Sequence, residues 1–346
     1  MDSDLFELQS KLVPEMVDLL HERYRVLKFI ETAGPIGRRP LSLMADLTER
    51  ECRSVLEALR ELRLIRVAKE GASVTEEGSR LLSSLGEAID QWSGREALAR
   101  NLTAKLGIRS VKIVIGDCDV NPSVKNLIGK EAAQQFMEGI GDGEIVAVTG
   151  GSSVAAVSPY IEVFDDAKHI HFIAARGGIG NEIGLQANVI AASFAEACGA
   201  SYSAFYYPES LSSEAHEIFK KEAIAQEMIA KYEKTDCVIH GIGDAQRMAA
   251  LRNANEEERL YLQEHGAKGE AFGYYFDENG KVVHRIRTVG IQTEQLQKVP
   301  LLIAVAGGSS KGEAILAYMA SAPKQTILIT DEGAAKAMLS HVANKK

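Results

Sequence analysis

Cysteine, proline and aromatic residues are sparse in this chain of 346 residues, and positive charge is in deficit. There are four cysteines, eight prolines and one tryptophan, and aromatics make up 6% of the sequence. Cys52, Cys118, Cys198 and Cys237 lie at least 39 residues apart with no CxxC pair. That excludes a sequence-local zinc knuckle and argues against a disulfide framework. The eight histidines form no metal-ligand cluster, so neither a metal nor a cofactor is expected. No apolar run reaches the roughly 18 residues that a membrane span needs. The opening Met1-Asp2-Ser3-Asp4 is acidic, unlike a secretory signal. The expectation is a cytoplasmic protein. A net charge of −9 excludes a globally basic nucleic-acid coat, so any DNA binding must come from a locally basic surface.

What is present is enough apolar residue, 46%, to bury a sizeable core, and a length that suits one small module plus one large one. Residues 8–33 read as a helix with Leu20, Tyr24, Leu27 and Ile30 on one stripe, ended by Gly34-Pro35. A short helix follows from Pro40 to about Asp46. Thr48-Glu49-Arg50-Glu51 is a capping box that opens a helix to about Leu62, with Cys52, Val55, Leu56, Leu59 and Leu62 inward. Two short strands, 64–68 and 72–75, flank a turn at Lys69-Glu70-Gly71, and Thr75 caps the next helix.

This order is that of a winged helix-turn-helix, over residues 1–75. The second helix of such a pair presents its first turns to base edges, which here are Glu49, Arg50, Arg53 and Ser54. Arginine suits guanine because its fork donates to two acceptors at once. Arg38 and Arg39 precede the pair and are placed to meet phosphates. Between Gly34 and Lys69 there are eight Lys/Arg against five Asp/Glu, a local +3 in an acidic chain. The spacing does not say whether Arg50 or Arg53 reads a base or a phosphate. A helical stretch over 76–107 carries Leu81, Leu82, Leu85, Ile89, Trp92, Leu98, Leu102 and Leu106, interrupted at Gly94. Its seam serves either self-association or packing on the following domain.

From residue 108 onward short apolar runs end in glycine and alternate with helical patterns: 111–115, 145–149, 170–174, 203–207, 238–242, 301–306 and 326–330. They predict a doubly wound, mostly parallel α/β sheet. A hairpin is expected over 274–289, with Asn279-Gly280 as a two-residue turn. Four glycine turns follow strands: Thr149-Gly150-Gly151-Ser152-Ser153, Ala175-Arg176-Gly177-Gly178, His240-Gly241-Ile242-Gly243 and Gly307-Gly308-Ser309-Ser310-Lys311. Glycines let backbone amides approach an anion, and in such sheets ligands sit at the carboxyl ends of strands. Each turn alone is as well read as a tight connection; two Gly-Gly-Ser-Ser turns of the same form are harder to dismiss. Neither is a Walker loop, which disfavours a nucleotide. Two anion loops suit a ligand with two phosphates, with Arg176 and Arg252 adding charge and Glu270 accepting from sugar hydroxyls. Asp331 reads as a helix cap. His240, Asp244, Asp331 and Glu332 are acid–base types, but no spacing pairs them as a catalytic set.

These motifs, together with Gly34-Pro35-Ile36-Gly37-Arg38-Arg39, Thr75-Glu76-Glu77-Gly78, Glu270-Ala271-Phe272-Gly273-Tyr274-Tyr275-Phe276 and Thr330-Asp331-Glu332-Gly333, run in register with one family. The chain resembles the SorC-type sugar-responsive regulators over essentially its whole length. The resemblance implies a repressor of a glycolytic operon, held on operator DNA as a dimer or tetramer. It implies fructose-1,6-bisphosphate as inducer, and an effector domain of the sugar-phosphate isomerase/deaminase type without catalysis. The implied ligand contacts are the Gly150–Ser153 loop, Arg176, Gln186, Arg252, Glu270 and the Gly307–Lys311 loop. One departure is that the family often has threonine where Ser152 and Ser153 stand. Two rivals remain at this level: an active sugar-phosphate isomerase or deaminase carrying a DNA-binding module, and a DNA-tethered scaffold that senses nothing.

Overall fold

The computed structural model describes residues 12–92, 94–164, 169–177, 182–207 and 212–344. Residues 8–11 of the expected first helix and Gly178 of the second glycine turn lie outside them. The chain divides into two compact units. One comprises Met1–Ala97 with Asn121–Val124, the other Leu98–Val120 with Lys125–Lys346.

In the smaller unit α1 (Pro14–Ala33) is buried on more than the expected stripe. Tyr24, Leu27 and Ile30 are buried as read, and Val26 and Phe29 are buried too. Gly34, in the left-handed region, ends it. Then come α2 (Arg38–Met44) and α3 (Glu49–Glu61). α2 starts two residues earlier than read and ends before Asp46, whose φ of +50° makes the turn of the helix pair. The Thr48 capping box is complete: Oγ1 accepts from the Glu51 amide and the Glu51 carboxylate accepts from the Thr48 amide.

The wing is β1 (Ile65–Ala68) paired antiparallel with β2 (Gly71–Val74). Ile36 adds a third pairing, exchanging hydrogen bonds of 2.9 and 2.8 Å with Ala72. Gly71 is required there. Its φ is +129°, and a Cβ would sit 2.5 Å from the Ile36 backbone. Thr75 then caps α4 (Glu76–Trp92) through the Gly78 amide. Gly94 separates α4 from α5 (Arg95–Leu106), so the long helical stretch is two helices. Leu102, with Leu98 and Leu106, packs into the core of the larger unit. That half of the apolar seam is therefore buried within the chain.

The larger unit is built on a seven-stranded sheet in which every neighbouring pair is parallel. Its strands are β3 (Ser110–Val114), β4 (Ile145–Val148), β5 (His171–Ala174), β6 (Ser201–Ser203), β7 (Cys237–Gly241), β12 (Leu301–Val305) and β13 (Thr326–Asp331). The order is β3-β13-β12-β7-β4-β5-β6. Among the helices between them are α6 (Val124–Gly139), the short α7 (Ser152–Ala155), α8 (Ala187–Cys198), α9 (Ser213–Phe219) and α10 (Ala223–Tyr232). All seven strand runs are present. Six match the reading to within a residue or two, but the fourth, read at 203–207, is a strand at 201–203. Beyond Ser203 the Asn188 side chain takes the place of a strand neighbour, accepting from the Phe205 amide and donating to the Phe205 carbonyl, both at 2.9 Å. Phe205 and Tyr207 stay buried with no strand pairing.

A second sheet was only half legible. β8 (Gly243–Asp244), β9 (Ala267–Ala271), β10 (Tyr274–Asp277) and β11 (Val282–Arg285) form an antiparallel sheet in the order β11-β10-β9-β8. Between β8 and β9 lie α11 (Ala245–Leu251) and α12 (Glu256–Glu264). The expected Asn279-Gly280 turn is a longer loop. Asp277 Oδ1 accepts from the amides of Asn279 and Lys281, and Gly280 alone takes a positive φ. This is the three-residue form ending in a left-handed glycine. The chain continues through α13 (Thr293–Leu296), β12, α14 (Gly312–Met319), β13 and α15 (Glu332–Asn344). Among the described residues no helix is long and apolar enough to cross a membrane.

Candidate functional site

In the smaller unit, Arg50, Arg53 and Ser54 are exposed on the first two turns of α3, opposite buried Cys52, Val55 and Leu59. Glu49 is differently engaged. Its two oxygens take Arg38 Nη2 and Arg39 Nε, each at 3.1 Å. The Arg39 hydrogen bond is the main reason that the Glu49 carboxyl sits below its usual range. Glu49 therefore positions the two arginines rather than standing ready for a base edge. These pairs are open to water, so each contributes little to stability.

In the larger unit β4, β5 and β6 run outward on one side, while β7, β12 and β13 run outward on the other. The switch lies between β4 and β7, the place where an open α/β sheet leaves a crevice beyond its carboxyl ends. Thr149 bridges it, since its hydroxyl accepts from the Gly241 amide at 3.0 Å and donates to the Gly150 carbonyl at 3.2 Å. Both uses of that hydroxyl are structural. Gly150 comes so near the chain before α8 that a Cβ would meet the Leu185 carbonyl at 2.6 Å, which sets Gln186 beside the loop. Gly151 donates to the same carbonyl at 2.9 Å. Ser152 and Ser153 open α7, and no side chain caps its amides. Lys125, on α6, reaches Ser152 Oγ at 3.2 Å.

Arg176, Arg252 and Glu270, far apart in sequence, form one buried cluster. Oε1 of Glu270 receives Arg252 Nη2 at 2.9 Å, Arg176 Nη1 at 3.2 Å and the Gly273 amide at 2.6 Å. Burial by itself would raise this carboxyl, but the two guanidinium groups outweigh it and hold Glu270 below its usual range. Arg252 also donates to Tyr275 Oη at 2.8 Å. The cluster depends on an unusual turn. Phe272 and Gly273 both have positive φ, +55° and +83°, and the Phe272 ring packs 4.6 Å from that of His240. Gly177 is buried against Tyr207.

The second Gly-Gly-Ser-Ser loop is built differently from the first. The Gly308 amide donates to Asp331 Oδ2, the Ser309 amide to Asp117 Oδ1 and the Ser310 amide to Asp119 Oδ2. Gly307 is buried. Lys311 Nζ lies 3.5 Å from the Ile242 carbonyl, one residue from the β8 residue Gly243, which pairs with Glu270. Burial, then the charges of Lys125 and Arg247, pull the Lys311 ammonium below its usual range. Lys125 and Arg247 thus act on Lys311, and Asp119 opposes them. Lys125, Arg247, Asp117 and Asp119 are absent from the sequence reading. The visible signal was Gly116-Asp117-Cys118-Asp119 straight after a strand.

The acid–base candidates are all otherwise employed. His240 is fully buried, its value pushed down to about 4 by burial, with Nδ1 on Gly241 and Nε2 near Tyr318 Oη. Asp331 caps α15 through the Ala334 amide, as read, and also binds the Cys118 amide. Asp244 caps α11 through the Arg247 amide, and Glu332 accepts from the Gly116 amide.

Residues 19–89 match the family described as "CggR N-terminal DNA binding domain", and residues 90–340 the one described as "Putative sugar-binding domain". The chain is 40% identical over 338 residues to the central glycolytic genes regulator of Priestia megaterium, covering 97% of this chain and 98% of that one. The chain belongs to this family of SorC-type transcriptional regulators. The Bacillus subtilis member is 37% identical over 337 residues, covering 97% and 99% of the two chains. Among solved structures, a SorC-family regulator from Enterococcus faecalis aligns with a TM-score of 0.66 and 39% identity. It covers 70% of this chain and 99% of that one. The full-length sorbitol operon regulator SorC from Klebsiella pneumoniae shares the fold at a TM-score of 0.66 and 16% identity, over 88% and 94% of the two chains. A DNA-binding domain therefore precedes a sugar-binding domain, and the chain is a regulator of transcription rather than an enzyme.

Proposed function

We propose that this SorC-type regulator represses glycolytic genes and that a phosphorylated sugar, fructose-1,6-bisphosphate first among them, releases it from operator DNA. The gene class comes from the names of the two relatives at 40% and 37% identity. The observation that carries the ligand class is Lys125 at 3.2 Å from Ser152 Oγ, beside a glycine loop with two serine hydroxyls, with Lys311 in the field of Lys125 and Arg247. Cations held in one another's field are stabilised by an added anion, and a phosphate supplies up to two negative charges. Glu270 Oε2 takes none of the three bonds that crowd Oε1, and it suits a sugar hydroxyl. The sugar would span from the Gly150–Ser153 loop, past Gln186 and Arg176, toward Lys311.

For release, the ligand must favour one of two states of the protein. Assembly into a dimer or tetramer would multiply modules of only +3 local charge on paired half-sites. Action on operator DNA and on a sugar phosphate would put this regulator in the cytoplasm. The test is binding of the full chain to labelled DNA from upstream of the glycolytic genes, titrated with fructose-1,6-bisphosphate, fructose-6-phosphate, glucose-6-phosphate and free glucose. Loss of operator binding or a change of oligomer with the bisphosphate, with the sugar recovered intact, is the expected result. If no phosphorylated sugar alters either one, the reading fails.

A further inference from the structure

The amides of the second glycine loop already hold anions, and those anions belong to the protein. Asp331 accepts from Gly308 at 2.7 Å, Asp117 from Ser309 at 3.1 Å, and Asp119 from Ser310 at 2.7 Å. The Ser309 hydroxyl donates to the same Asp119 oxygen at 3.3 Å. Burial would raise Asp119, but these bonds and the charge of Lys311 outweigh it and keep the carboxylate ionised. One amide and one hydroxyl on a single carboxylate oxygen, with the charge of Lys311 acting on it, are donors of the kind that a phosphate would use.

The three carboxylates are not equivalent. Asp331 is fully buried and stitched to the Cys118 and Ala334 amides as well. Asp117 also accepts from the Asp119 amide at 2.8 Å, which closes its own turn. Asp119 is exposed, is followed by exposed Val120, and reaches the loop only through Ser309 and Ser310. It is the one that can leave without uncovering a buried group. We propose that Asp119 is a resident stand-in for phosphate, filling the second glycine loop until a phosphorylated ligand displaces it. The inference rests on the reading that this site takes a phosphorylated sugar. It adds a specificity rule. A sugar acid would exchange one carboxylate for another with no gain in charge. A phosphate brings more charge to Lys311, Lys125 and Arg247 and an extra acceptor oxygen.

The alternative is that Asp119 braces the loop and that ligand affinity depends on it. The two separate in the full chain with Asp119→Asn, titrated calorimetrically with inorganic phosphate and with fructose-1,6-bisphosphate. A stand-in gives tighter binding of both on removal of its charge, by about tenfold. Equal or weaker binding of phosphate by the variant, or no phosphate binding by either protein, overturns the proposal. If D119N gains phosphate affinity while neither protein takes the bisphosphate, the sugar reading fails and the stand-in survives. Wild-type protein supplies a check that needs no variant to fold. Under saturating phosphate, hydrogen exchange should speed up at residues 117–120 while residues 309–311 stay protected. Slower exchange at 117–120 would refute displacement.

Discussion

Nη2 of Arg252 lies 2.9 Å from Oε1 of Glu270, in a contact almost closed to water at both side chains. Arg252 follows α11 and Glu270 sits on β9, so this ion pair ties the helical arm of the larger unit to its antiparallel sheet. Arg176 joins the same oxygen from the end of β5. One carboxylate therefore holds two guanidinium groups that would otherwise be buried near each other.

Replacement of Glu270 with Gln removes that charge and leaves both arginines facing a neutral amide. Breaking a buried pair from one side costs about 3–5 kcal/mol. Denaturant unfolding should show a loss of that order, together with a weaker response to sugar phosphate. The sign with pH follows from the lowered value. The contribution is complete above about 4.3, the ordinary glutamate value, and disappears as pH falls through the lower folded value. A variant as stable as wild type at neutral pH would show that the arginines do not need the charge.

His240 takes its proton at a lower pH than a surface histidine would, because it is buried. Its folded value is about 4, against an unfolded value near 6.5. Above about 6.5 it costs nothing. As pH falls from there toward about 4 the unfolded state gains a proton that the folded state refuses, and stability drops by roughly 1.4 kcal/mol per pH unit. Unfolding of His240→Gln against wild type across that window checks it; identical slopes for the two would place the imidazole in water.

Gly71→Ala puts a methyl against the Ile36 backbone at a φ of +129°. The wing then parts from Ile36, at a cost of about 1–3 kcal/mol, and operator affinity falls with it. Gly143→Ala is the control, since it shares a positive φ of +73° but has open space around it. Thermal unfolding and operator binding should rank the two clearly. Equal effects would mean that the left-handed conformation, not the wing contact, carries the loss.

Arg39 and Arg50 should separate in salt. Arg39 is exposed and pairs with Glu49 at the start of α3. Its loss should reduce the slope of log affinity against log salt by about 0.9, the value of one phosphate contact. Arg50→Ala should instead lower discrimination between operator and unrelated DNA, by about 1–3 kcal/mol if it reads a base. An unchanged salt slope for Arg39→Ala would remove it from the interface.

Much of this protein was legible because it is local. The Thr48–Glu51 box, the wing around Gly71, the Gly94 break and the strand runs depend on residues a few positions apart, and hydrophobic period and capping chemistry act at that range. Boundaries slipped where a distant group intervened. The run at 203–207 reads as a strand until Asn188 supplies the hydrogen bonds that a neighbouring strand would have made. Arg176, Arg252 and Glu270 were singled out from the sequence as separate ligand contacts. That they meet on one oxygen was not legible there, because it depends on strand order and on a left-handed Phe272.

The two Gly-Gly-Ser-Ser loops mark the division most sharply. By itself the sequence determined that each follows a strand and opens a helical turn, because glycine freedom and the strand period are properties of the local chain. Only the tertiary structure decided that they differ. The first lies beside Lys125 and Gln186 at the switch between β4 and β7. The second is filled by Asp117, Asp119 and Asp331, brought in from the ends of β3 and β13. Four identical residues acquire different partners, because what faces a backbone amide is set by which strands the sheet makes neighbours.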